Sequence, residues 1–80
     1  MYNNLYREPT QQEMANYHKV DKLMMLWQDD YADNVIECIG NYVYALREES
    51  KACYQRVYRI AKKHGLTVPM LVDWYCIEVD

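Results

Sequence analysis

Met14, Tyr17, Val20, Met24, Trp27 and Tyr31 follow one another at steps of three and four residues, and Leu23 and Leu26 widen the stripe they draw. That period is helical. Just ahead of it, Pro9 disfavours helix at Glu8, and Thr10-Gln11-Gln12-Glu13 has the form of a capping box. In such a box the Thr10 hydroxyl accepts from the Glu13 amide, while the Glu13 carboxylate reaches back to the Thr10 amide. The pattern predicts a helix from about residue 11 to residue 29, and it leaves residues 1–9 as a loose N-terminal arm.

A second periodic stretch follows. Asp30, Asp33 and Asn34 suit a turn and a new start, with Asn34 and Glu37 as a cap. Beyond them Ile39, Val43, Leu46, Ser50, Cys53, Val57, Ile60 and His64 alternate steps of four and three, a heptad-like seam. If all of residues 34–64 are helical, they form one helix about 46 Å long. A break near Glu48-Glu49-Ser50 would make two helices instead. The unbroken seam favours a continuous or merely kinked helix.

The end of the chain is punctuated. Gly65 suits the left-handed residue that closes a helix, and Lys62, Lys63 and His64 complement a helix's negative C-terminal end, where the charged form of His64 is favoured. Thr67 can cap the next helix, and Pro69 then falls in its first turn, where a missing amide hydrogen costs little. Leu71, Trp74 and Tyr75 supply its inward face. The expected fold is all-α: a small bundle of three to four helices over residues 10–80, with a long or kinked central helix.

Ile60-Ala61, Gly65-Leu66, Leu71 and Trp74, within residues 57–77, resemble the DNA-binding helix-turn-helix motif. In that family a small residue sits where the helices approach, a glycine makes the turn and apolar residues lock the angle. The resemblance implies a helix-turn-helix-like C-terminal corner. It also implies that Thr67, Val68, Pro69, Val72 and Asp73 would face the major groove. None of these is Arg, Lys, Asn or Gln, the side chains that most often read base edges. Arg56, Arg59, Lys62 and Lys63 on the preceding helix could grip phosphate but would read little sequence. A DNA-binding regulator is therefore the alternative reading. Val68, Met70 and Val72 in the apolar run Val68-Pro69-Met70-Leu71-Val72 look more like a surface for protein.

Charge sharpens that preference. The net charge of −3 and isoelectric point near 5.3 lack the usual footprint of a nucleic-acid binder. Residues 8–37 sum to −5 and residues 47–64 to +4, so opposite charges are segregated along the chain. Asp29, Asp30 and Asp33 could address a basic surface. Tyr54 and Tyr58 lie one turn apart beside Arg59, Lys62 and Lys63, a tyrosine-plus-base combination that suits protein hot spots and also single-stranded nucleic acid.

Composition closes other routes. With 51% hydrophobic and 26% charged residues the chain is not disordered, and no apolar run nears the roughly 20 residues that cross a bilayer. Nine Tyr and no Phe point to half-buried boundaries or binding surfaces. Cys38, Cys53 and Cys76 are odd in number and unpaired in spacing, which fits a reducing compartment; with no signal-like start, the expected location is the cytoplasm. His64, Cys53 and Cys76 lack the close paired spacing of zinc ligands, and no phosphate-binding loop, hydrolase elbow or metalloprotease motif occurs. Neither a cofactor nor a metal is expected. These features predict a non-enzymatic protein-binding module, an inhibitor or modulator that occupies the surface of a macromolecular partner. Inhibitors carried by phages and other mobile elements offer an analogy of type. A homodimer zipped along Ile39, Val43, Leu46, Val57 and Ile60 is compatible with either reading.

Overall fold

The computed structural model describes residues 8–79, which form four helices and no strand. These are α1 (Gln11–Leu26), α2 (Asp29–Val43), α3 (Ser50–Lys63) and α4 (Val68–Glu78). Most of the expected N-terminal arm, residues 1–7, lies outside the described residues.

The capping box at the start of α1 forms as expected. Glu13 N–H donates to Thr10 Oγ1 at 3.1 Å, and Thr10 N–H donates to Glu13 Oε1 at 2.8 Å. The helix stops at Leu26, three residues earlier than its apolar spacing implies. Trp27 adopts an extended backbone, and its ring packs 5.1 Å from Tyr31 and 4.5 Å from His64. The next helix begins at once, with Asp29 and Asp30 in the first turn of α2, where carboxylates meet the positive end of the helix dipole. Asp33 and Asn34 therefore lie inside α2, and the expected cap at Asn34 does not exist.

The long central helix is also replaced by two. The chain leaves α2 at Tyr44, turns through Arg47, Glu48 and Glu49, and re-enters helix at Ser50, whose hydroxyl donates to the Arg47 carbonyl at 3.0 Å. Helices α2 and α3 form a hairpin, with Tyr42 and Tyr54 rings 5.7 Å apart. The seam spacing misleads for a physical reason: both arms of a hairpin place residues on one shared core, so the same steps of three and four recur in each. Ile39 and Val57 are fully buried in that core, whereas Leu46, in the middle of the seam, sits in the connection and is 63% exposed. Ile39 and Val57 are thus buried in the monomer's own core.

Helix α3 closes in a Schellman motif. Gly65 has φ of 71°, Leu66 N–H donates to the Ala61 carbonyl at 2.8 Å, and Gly65 N–H donates to the Lys62 carbonyl at 3.4 Å. Thr67 then caps α4, accepting from Met70 N–H at 3.4 Å, with Pro69 in the first turn. The helix–glycine turn–helix corner is present.

Helix α4 is apolar nearly all round, the signature of a buried helix, and it packs against α1, α2 and α3. Val68, Leu71, Trp74, Tyr75 and Cys76 are buried on it. Of the residues expected to face a protein, Val68 is buried in the core, and Met70 and Val72 are half-buried against it. Three polar ties join α4 to α1. Asn16 Nδ2 donates to Asp73 Oδ2 at 2.8 Å, Trp74 Nε1 donates to Asp21 Oδ1 at 3.2 Å, and Tyr17 Oη donates to Glu78 Oε2 at 2.7 Å. The bond to Glu78, with burial and the Asp21 and Glu78 charges adding to it, pushes the Tyr17 hydroxyl up to about 12, so it stays a donor. Among the described residues no helix is long and apolar enough to cross a membrane.

Candidate partner-binding surface

Helix α3 shows a basic and aromatic face to solvent. Its buried residues, Cys53, Val57 and Ala61, are spaced by four and fix the helix's orientation. The rest of its circumference is left to Lys51, Tyr54, Gln55, Arg56, Tyr58, Arg59, Lys62 and Lys63, all exposed. Tyr54 and Tyr58 stack with ring centroids 6.1 Å apart and planes at 21°. Tyr42 also packs against Tyr54, with ring centroids 5.7 Å apart.

Two shallow clefts share this face. One, of about 530 Å³, is lined by Gln55, Tyr58, Arg59, Lys62 and Lys63. The other, of about 350 Å³, runs from Tyr54, Tyr58 and Lys62 to the α4 start at Thr67, Val68 and Pro69. The structure therefore brings Tyr54, Tyr58, Arg59, Lys62 and Lys63 together, with Val68 as part of the cleft wall. Met70 and Val72 line neither cleft.

Asp29, Asp30 and Asp33 are exposed on α2 and line neither cleft. With Glu37 they extend a stripe, since residues 29, 33 and 37 are each four apart on one helix face. Glu37 was missed as a functional candidate, although its four-residue step from Asp33 is readable once α2 is known to begin at Asp29. No ion pair joins the acidic side chains of Asp29, Asp30, Asp33 and Glu37 to the α3 bases. The opposite charges of the two helices are not spent on each other.

His64 sits at the corner of α3 and α4, as its C-cap residue. Tyr31 Oη and His64 Nε2 are 2.6 Å apart, and the Lys63 ammonium lies 5.5 Å from the centre of the Tyr31 ring. Burial first, and then the Lys63 charge, hold the imidazole below its usual 6.5. The charged form expected from the helix end is thus disfavoured, because burial and the Lys63 charge both favour the neutral ring. Among the described residues no group of three His, Cys, Asp or Glu side chains is placed to hold a metal ion, and Cys38, Cys53 and Cys76 are free thiols.

Two of the positions that the helix-turn-helix resemblance assigns to base reading are withdrawn from the surface. Val68 is 6% exposed and Asp73 is 4% exposed. Comparison of the chain with protein-family models, with curated proteins and with solved structures gives no match.

Proposed function

We propose that this chain is a small non-enzymatic protein-binding module that inhibits or modulates a macromolecular partner by occupying its surface. The observation that carries the reading is the stacked Tyr54–Tyr58 pair, exposed among Arg59, Lys62 and Lys63 beside two clefts. Tyrosine brings large contact area with few rotatable bonds, and the stack holds both rings in place before any partner arrives. Arginine and tyrosine are the side chains that dominate binding hot spots. The free thiols suit work in the cytoplasm.

The test is an affinity capture from native lysate with nuclease treatment, comparing the wild-type chain with a Tyr54→Ser/Tyr58→Ser variant. A protein that survives nuclease and is lost with the variant supports the reading. A captured protein indifferent to the variant overturns it.

The second reading is a DNA-binding helix-turn-helix regulator, favoured by the row of exposed bases Arg56, Arg59, Lys62 and Lys63 on the first helix of the corner. It predicts duplex binding that weakens steeply with salt, with a slope reduced by about 2 in Lys62→Ala/Lys63→Ala. Its cost is that α4 offers little exposed side chain with which to read bases.

A further inference from the structure

A concavity larger than either cleft lies between α2, the connection at residues 44–49 and α3. It is an open groove of about 840 Å³. Its chemistry is set by Glu37, Glu48, Glu49, Arg56, Tyr44 and Tyr75.

Tyr75 reaches the groove from α4, and Gly40 is what admits it. A Cβ at Gly40 would stand 3.0 Å from Tyr75 Oη, so any side chain there would crowd the hydroxyl. Tyr75 is 9% exposed, and its hydroxyl has no hydrogen-bond partner among the described residues. A hydroxyl in the wall of a groove bonds to water until a ligand group of matching chemistry displaces it. Here it stands in the wall of a groove open to ligand.

The carboxylates say what kind of ligand. Glu37, Glu48 and Glu49 are exposed and make no ion pair among the described residues, and Arg56 is the one base that lines the groove with them. The lining is therefore net negative, and it favours a cation. Tyr44 and Tyr75 meet edge to face at 6.3 Å, adding aromatic rings that attract cations. Adjacent carboxylates, a hydroxyl acceptor and aromatic rings match a guanidinium better than an ammonium, because its planar fork donates in several directions and stacks on rings. Asp29 and Asp33 continue the negative stripe from Glu37 along α2 for about 12 Å. A basic chain lying on that stripe would deliver a side chain into the groove.

We propose that this groove takes an arginine side chain from a basic segment of a protein partner, with the rest of that segment lying along the α2 acids. The inference rests on the protein-binding reading only in making the ligand part of a protein, and it uses none of the tyrosine-face residues.

The experiment is a titration of the isotope-labelled full chain with a capped Gly-Arg repeat heptapeptide at about 150 mM salt, where exposed charges are largely screened. Saturable shifts at the Gly40, Asn41 and Ala52 amides are expected. The corresponding Gly-Lys peptide should bind several-fold more weakly. Tyr75→Phe should weaken binding about five- to tenfold, the scale of one hydrogen bond to a charged group. Glu48→Gln/Glu49→Gln, on exposed positions that the fold does not need, should weaken it about tenfold or more. The Tyr54→Ser/Tyr58→Ser variant should bind the peptide as the wild type does. No saturable shift at the groove amides, shifts confined to Asp29 and Asp33, equal affinity in Tyr75→Phe, or preference for a Gly-Glu peptide would each overturn the proposal. Those failures leave the tyrosine-face reading standing, and loss of lysate capture without loss of peptide binding separates the two the other way.

Discussion

Asn16 Nδ2 donates to Asp73 Oδ2 across 2.8 Å, and the two side chains are the buried polar residues among those described. Gln12 Nε2 in turn donates to Asn16 Oδ1 at 3.0 Å, which fixes the amide so that its NH₂ faces the carboxylate. A residue that the helix-turn-helix resemblance would aim at DNA is instead a tie between the first and last helices. Replacing Asn16 by Ala should cost about 1.5–3 kcal/mol, the range for a hydrogen bond to a charged group. Urea unfolding should show a lower midpoint with an unchanged slope. A loss under about 0.5 kcal/mol would mean that the pair adds little.

Val57 and Leu46 belong to one sequence seam but to different environments, 0% and 63% exposed. Val57→Asp places an unpaired charge in the core. It should remove most of the roughly 4–12 kcal/mol expected for a domain of this size. Leu46→Lys should change stability by no more than about 0.5 kcal/mol and leave the elution volume on gel filtration unchanged. Circular dichroism melts of both variants decide the matter. Dissociation of an oligomer by Leu46→Lys would establish the seam as an interface.

Gly40 and Tyr75 should be energetically coupled. Alanine in a helix interior is favoured over glycine by about 1 kcal/mol, but the new methyl meets Tyr75 Oη at 3.0 Å. Gly40→Ala should therefore stabilise more in a Tyr75→Phe background than in the wild type. A double-mutant cycle should show coupling of about 0.5–1 kcal/mol. Additive effects would mean that the hydroxyl moves aside freely.

His64 should make stability fall on mild acidification. Its folded pKa lies below 6.5 because burial and the Lys63 charge disfavour the protonated ring. The unfolded chain binds this proton more readily, so the His64 contribution is fully present above about pH 6.5. It is lost as the pH falls from there through the folded pKa. Thermal melts between about pH 7.5 and about pH 5.5 should show a falling Tm that is flattened in His64→Gln. An identical decline in that variant would assign the effect to other groups.

Much of the local architecture is readable from short stretches. Thr10 and Glu13 announce α1, and Gly65, Thr67 and Pro69 mark the α3–α4 corner, because caps and a left-handed glycine depend on backbone geometry within a few residues. Asp29-Asp30 also carried a helix-start signal, but the apolar step from Trp27 to Tyr31 concealed it. In the candidate surface, Tyr54, Tyr58, Arg59, Lys62 and Lys63 share a face because they share one helix. The burial of Val68 was not legible because an apolar helix looks the same in sequence whether it meets a partner or its own core.

The sequence by itself determined that the chain is helical, where the ends at Thr10, Gly65 and Thr67 fall and which residues of each helix lie side by side, since these follow from backbone sterics and a period of 3.6. The tertiary structure alone decided that α3 folds back on α2 as a hairpin, that α4 packs against all three other helices, and that Asp73 is buried. It also decided that the α2 acids and α3 bases stay apart and that Gly40 opens a groove to Tyr75. A heptad spacing is satisfied equally by one long helix and by two that share a core. Burial depends on which distant segments arrive to exclude water, and no local pattern encodes that.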